Sequence, residues 1–263
     1  MWDAPTELST AHNEAGRGCE LSELVKFQDA LYTFDDRSGI MFQVMNPSRS
    51  DAAEAPYLVP KQIFMEGPGD INDKGLKIEW ATVKDNTMVV GSFGKEYTNS
   101  KGEIVHSNNL WVVVLKPDGT KVHVNWKPHY DAMRTTLGYS APGYFIHEAI
   151  VWSSYHRKWF IFPRRASREA YDDVADEKRG SNMIITASFD FKEVTSTTVG
   201  VSWSLKIDCL FFFLFLFCTR PRRFPFISCA TLTITYSSMH RQLLRKEDFL
   251  PSSFSLVHTT VSL

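Results

Sequence analysis

Apolar residues in the first two hundred positions come in short runs broken by clusters of Gly, Pro, Asn, Asp and Ser. The runs at 24–27 and 31–34 flank Gln28-Asp29-Ala30, and the run at 41–45 follows Asp35-Asp36-Arg37-Ser38-Gly39. The runs at 78–83 and 88–90 are split by Lys84-Asp85-Asn86-Thr87, and 110–116 turns into 120–124 at Pro117-Asp118-Gly119. A further pair, 149–152 and 158–162, precedes the run at 183–187. Runs of this length between turn residues predict strands joined as hairpins, with one short helix over 131–137. Strand after strand without helical periodicity predicts an all-β fold.

Three hairpins share a deeper pattern. Glu23-Leu24-Val25-Lys26-Phe27, Glu79-Trp80-Ala81-Thr82-Val83 and Glu148-Ala149-Ile150-Val151-Trp152 each read Glu-x-x-x-large apolar before a polar turn and a second apolar strand. The glutamates are 56 and 69 residues apart, enough for one four-stranded propeller blade per interval. Equivalent positions on the innermost strands of successive blades converge on the central channel, where three carboxylates would repel one another without a cation. An oxygen-only set lacking His and Cys favours a hard ion, Ca²⁺ before Mg²⁺. The plainer alternative is that these glutamates simply open exposed strands. Trp80 and Trp152, being on strands, are expected in the core rather than stacked on a base.

Composition divides the chain in two. The whole carries 29 Lys and Arg against 30 Asp and Glu, which excludes a strongly basic nucleic-acid binder. From residue 205 onward seven bases meet three acids, leaving −5 on the preceding part. No glycine follows Gly200, and three of the four cysteines (Cys209, Cys218, Cys229) lie in this last fifth at spacings that match no zinc pattern. The run at 210–218 is nine apolar residues, about half of the ~20 a spanning helix needs, so a membrane anchor is not expected. The expected organisation is an N-terminal stub at 1–15, a β-domain at 16–202, and an unrelated, poorly ordered apolar and basic tail at 203–263.

Several ordered motifs then carry a resemblance. Glu20-Leu21-Ser22-Glu23-Leu24, Tyr32-Thr33-Phe34-Asp35-Asp36-Arg37-Ser38-Gly39, Lys77-Ile78-Glu79-Trp80 and Gly94-Lys95-Glu96 are similar to motifs of the calcium-activated nucleotidases, the soluble apyrase family. So are Pro142-Gly143-Tyr144-Phe145-Ile146-His147-Glu148, Pro163-Arg164-Arg165-Ala166-Ser167 and Asp176-Glu177-Lys178-Arg179-Gly180-Ser181-Asn182. The resemblance runs from about residue 16 to 200. It implies a five-bladed β-propeller that hydrolyses nucleoside di- and triphosphates of the UDP, GDP and ADP class, with Ca²⁺ in the central channel.

By that resemblance the metal ligands fall on Ser22, Glu23, Glu79 and Glu148. Arg164 and Arg165 are candidates to hold phosphate through paired, charge-assisted hydrogen bonds, or alternatively to pair with the acids at 169–177. Lys95 and Arg37 are further substrate-binding candidates at the channel mouth, and Glu96 or Glu20 could orient the attacking water. The family also has an N-terminal blade with an Asp-bearing strand, and a later Ser and Glu, for which this sequence shows no counterpart. The expectation is therefore an incomplete propeller of three to four blades, either active or a catalytically impaired module that binds calcium or nucleotide weakly. The family's secretory setting implies the endoplasmic reticulum, the Golgi lumen or the cell exterior, although residues 1–5 carry no signal-peptide pattern and Asn46-Pro47-Ser48 is no glycosylation acceptor.

Overall fold

The computed structural model describes residues 8–199 apart from 13, 17, 47–54 and 70–73. The tail from 203 onward, with its apolar run, lies outside the described residues, as does most of the N-terminal stub. Within this part the all-β expectation holds. Strands β1 (Leu21–Phe27), β2 (Ala30–Asp35), β3 (Ile40–Met45) and β4 (Tyr57–Ile63) form one antiparallel sheet in sequence order. The second contains β5 (Trp80–Lys84), β6 (Thr87–Gly91), β9 (Trp111–Leu115) and β10 (Lys121–Asn125), and between β6 and β9 a small hairpin, β7 (Tyr97–Thr98) and β8 (Ile104–His106), stands apart. The third runs β11 (Tyr144–Ser153), β12 (Lys158–Ser167), β13 (Met183–Ser188) and β14 (Val194–Thr198).

The expected hairpins are all present, some longer than the apolar runs alone indicate. Helix α1 (Lys127–Thr136) starts four residues before the expected position, and a one-turn helix, α2 (Asp173–Asp176), lies in the β12–β13 connection. Strand β4 lay outside the expected set because Pro60 interrupts it. Proline is tolerated there because β4 is an edge strand, and its pairing with β3 shifts register beside Phe42–Pro60.

The middle sheet is covered on both faces, and its sequence explains why. Along β5, β6 and β9 apolar residues succeed one another without polar alternation, so each face has side chains to bury. Trp80, Val89 and Val112 join Trp126, Trp152, Trp159, Ile161 and Phe191 between the second and third sheets. Ala81, Met88, Val90, Val113 and Leu115 face Phe27, Phe34 and Met41 of the first, with Phe64 just beyond β4. Trp80 is fully buried and Trp152 nearly so, as expected of core residues. Trp126 is the hub, with ring centroids 5.1 Å from Trp159, 5.4 Å from Trp80 and 5.5 Å from Phe191. Helix α1 closes over this core through Tyr130, Met133 and Arg134, the i, i+3, i+4 stripe that a helix presents on one side.

The first strands of the three sheets are neighbours, β5 lying beside both β1 and β11. The Trp152 backbone N–H donates to Thr82 Oγ1 at 3.0 Å, and the Ala81 N–H reaches the Glu23 carboxylate. Antiparallel pairing then gathers the starts of these strands, the β2–β3 turn, the segment after β6 and the end of β12 at one end of the sheets. The residues expected in the site lie on or next to these segments.

Candidate functional site

The β2–β3 turn is built by Asp35. Its buried carboxylate accepts from the backbone N–H groups of Glu20 at 2.9 Å and Ser38 at 2.8 Å, and from the Ser38 hydroxyl at 2.5 Å. Gly39 completes the turn at φ +72°, where an added Cβ would come within 2.5 Å of the Phe64 carbonyl oxygen. The turn thus fixes Asp36 and Arg37 beside the start of β1. Arg37 Nε lies 3.6 Å from Glu20 Oε2 and 4.0 Å from Asp36 Oδ1.

Lys77 and Glu79 precede β5 two residues apart, so extended backbone points both to one side. The Lys77 ammonium donates to Asp36 Oδ2 at 2.9 Å and to Glu79 Oε1. Asp36 and Glu79 are both buried, while Lys77 remains one-third exposed. Burial pushes the Asp36 carboxyl above its ordinary range, and Lys77 opposes that shift. The Lys77 ammonium in turn is held above its ordinary value: burial works against the charge, but Glu79 and Asp36 outweigh it. Asp36 Oδ1 is buried and accepts no hydrogen bond among the described residues.

Glu148 is aimed by a β-bulge. His147 faces Pro163 and Ala149 faces Phe162, so Glu148 is the extra residue between them. The bulge is braced from behind: the His147 N–H donates to the Phe93 carbonyl at 2.9 Å, and its buried ring stacks on Tyr130 at 5.5 Å. Burial raises the Glu148 carboxyl, Glu79 adds to the rise and Arg164 opposes it. Arg164 NH1 lies 3.1 Å from Glu148 Oε2. Glu20, Asp36, Glu79 and Glu148 thus outnumber Arg37, Lys77 and Arg164 by one charge.

The remaining sequence candidates are placed differently. Glu23 is buried on β1, its carboxylate accepting from the Leu24 N–H at 2.8 Å and from the Ala81 N–H. Burial pushes its carboxyl up to about 8 despite the Leu24 and Ala81 N–H groups. Ser22 Oγ donates to the Phe34 carbonyl at 3.5 Å. Among the described residues no three His, Cys, Asp or Glu side chains converge closely enough to hold an ion. The expected trio is therefore brought to one end of three neighbouring strands but not into one shell.

Arg165 takes up the salt-bridge alternative, pairing with Asp176, which is 1% exposed and accepts from Tyr144 Oη at 2.6 Å. Lys95 donates to the Glu96 carbonyl at 2.8 Å and Thr98 Oγ1 at 2.9 Å and lies 4.0 Å over the Tyr171 ring. Burial lowers its ammonium to about 8. Glu96 receives both its oxygens' bonds from Arg134, each at 3.1 Å; burial would raise its carboxyl, but Arg134 prevails and holds it below the ordinary value. Sequence reasoning passed over Asp36 and Lys77 as site residues. Their signal was the Lys-x-Glu spacing at 77–79, which alternation turns into a facing pair.

Neighbouring strands that bring carboxylates, an ammonium and guanidinium groups to one end define a class of all-β protein with a charged site at the strand ends. Comparison with known proteins narrows that class. The family model described as Apyrase matches residues 1–211, and the chain belongs to the apyrase family. It is 40% identical over 200 residues to soluble calcium-activated nucleotidase 1 of Rattus norvegicus, covering 76% of this chain and 47% of that protein. It is 40% identical over 198 residues to apyrase apy-1 of Caenorhabditis elegans (75% and 53% covered) and 37% identical over 201 residues to an apyrase of Cimex lectularius (76% and 52%). The chain spans about half the length of the curated relatives it matches.

Proposed function

We propose that this chain provides the β-propeller core of a calcium-dependent hydrolase of nucleoside di- and triphosphates. The observation that carries the reading is the charged end shared by β1, β5 and β11, with Asp36, Lys77, Glu79, Glu148 and Arg164 together in a chain of the apyrase family. The three four-stranded sheets of the described residues are read as successive blades, each with its first strand toward the axis. The donor chemistry fits calcium: side-chain oxygens only, a surplus of negative charge, and a buried Asp36 Oδ1 without a donor. Glu79 and Glu148 would hold the ion; Ser22 and Glu23 would join them from β1 only on giving up the Phe34 carbonyl and the Leu24 and Ala81 N–H groups.

Calcium held there would supply positive charge to offset the negative charge of the phosphate oxygens. Arg164, half exposed beside Glu148, donates to the terminal phosphoryl group, while Arg165 keeps the end of β12 in place through Asp176. Water adds in line to the terminal phosphorus as the bridging oxygen departs with the nucleotide. Of the two carboxylates considered for orienting that water, Glu96 is bound on both oxygens by Arg134, and Glu20 is retained. A secretory compartment rich in calcium suits an oxygen cage of this kind. The lack of a three-carboxylate convergence among the described residues supports a second reading, a module that binds calcium or nucleotide without turnover. Phosphate release from UDP, GDP and ADP in millimolar calcium separates the two. The first reading expects turnover that a chelator abolishes; nucleotide binding in calorimetry without turnover favours the second, and equal turnover in chelator refutes calcium dependence.

A further inference from the structure

The place between Asp36 and Glu79 is already occupied, by the chain's own ammonium. Lys77 Nζ bridges Asp36 Oδ2 and Glu79 Oε1, and two further charges stand nearby as a pair of their own, Arg164 NH1 lying 3.1 Å from Glu148 Oε2. A side chain that satisfies two buried carboxylates removes the repulsion an empty cation site would suffer. It also competes with any ion that needs those oxygens. Lys77 is one-third exposed at the end of a flexible four-carbon stem, so it can leave by rotamer changes while the carboxylates stay on the β2–β3 turn and at the entry to β5.

We propose that Lys77 is a resident counter-cation that a divalent ion must displace, and that this displacement sets the calcium concentration at which the site fills. The inference rests on the calcium reading given above. A site open in only a fraction of molecules binds with its affinity reduced by that fraction, so Lys77 keeps the site empty until calcium is abundant.

The test uses the full chain and three measurements. Calorimetric calcium titration of the wild type comes first: a chain that takes up no calcium overturns the proposed function and this inference with it. Given wild-type binding, Lys77→Met should bind calcium at least about tenfold more tightly, and equal or weaker binding overturns this inference alone. Simple removal of a positive charge would also tighten binding, so displacement itself is read from amine-reactive labelling of Lys77, quantified by mass spectrometry. Calcium should raise labelling of Lys77 severalfold in the wild type; unchanged or reduced labelling overturns the displacement. Metal-free Lys77→Met should also melt below wild type, because Asp36 and Glu79 lose their partner, and saturating calcium should close that gap. A gap that persists in calcium assigns Lys77 a purely structural role.

Discussion

Replacing Arg134 by methionine should destabilise the protein by about 3 kcal/mol, and adding Glu96→Gln should return most of it. Arg134 is 4% exposed and Glu96 15%, so the pair is largely out of water. Removing the guanidinium strands a partly buried carboxylate and deprives the Gly94 carbonyl of its 2.9 Å donor. Breaking a fully buried pair costs roughly 3–5 kcal/mol and losing one neutral hydrogen bond about 1 kcal/mol. Water reaching the edge of Glu96 moves the total to the lower end. The double variant removes the stranded charge, so a cycle measured by urea unfolding should give a coupling of about 2 kcal/mol. The pH dependence has a definite sign. Glu96 is held below its ordinary value, so its contribution is full above the unfolded carboxylate range and lost as pH falls through the folded value. Arg134→Met should flatten that acid limb. A loss under 1 kcal/mol, or strictly additive single effects, would refute the view that this pair holds the loop after β6 against α1.

Two further outcomes are expected. Gly94→Ala should cost about 3 kcal/mol in thermal or urea unfolding, because φ is +71° and the new Cβ would meet the His147 and Tyr130 rings at 2.6 Å; a neutral effect would mean that those rings can retreat. Glu23 has the opposite sign to Glu96: burial raises it from 4.5 to about 8, so the folded chain holds a proton that the unfolded chain releases, and calcium-free stability falls as pH rises through that window. Glu23→Gln should flatten this fall in melts run from pH 5 to pH 8, and a parallel slope in both proteins would contradict it.

The fold was largely legible because each described sheet pairs strands that follow one another, so local turn chemistry identifies most partners. Where a turn carries Asp-Asn or Pro-Asp-Gly the strands on both sides were apparent; where Pro60 interrupts an edge strand, only pairing with β3 reveals it. The glutamate repeat correctly led to neighbouring strands. It could not show depth, since equal sequence offsets from an apolar residue do not fix how far each strand slides along the next. The Glu23 carboxylate consequently turns to the Leu24 and Ala81 N–H groups, and the β11 bulge re-aims Glu148. Arg164 and Arg165 show a related limit: adjacent in sequence, they point to different partners, Glu148 and Asp176. Lys77 was visible only as part of a motif, because its role depends on Asp36, 41 residues earlier on the β2–β3 turn.

Equilibrium dialysis that counts bound calcium per chain bears most directly on the account. One ion per wild-type chain at millimolar calcium, reduced to background in Glu79→Gln/Glu148→Gln, is the predicted result. Equal uptake by both proteins would place any ion elsewhere and remove the basis for a metal-assisted reaction at this end of the sheets.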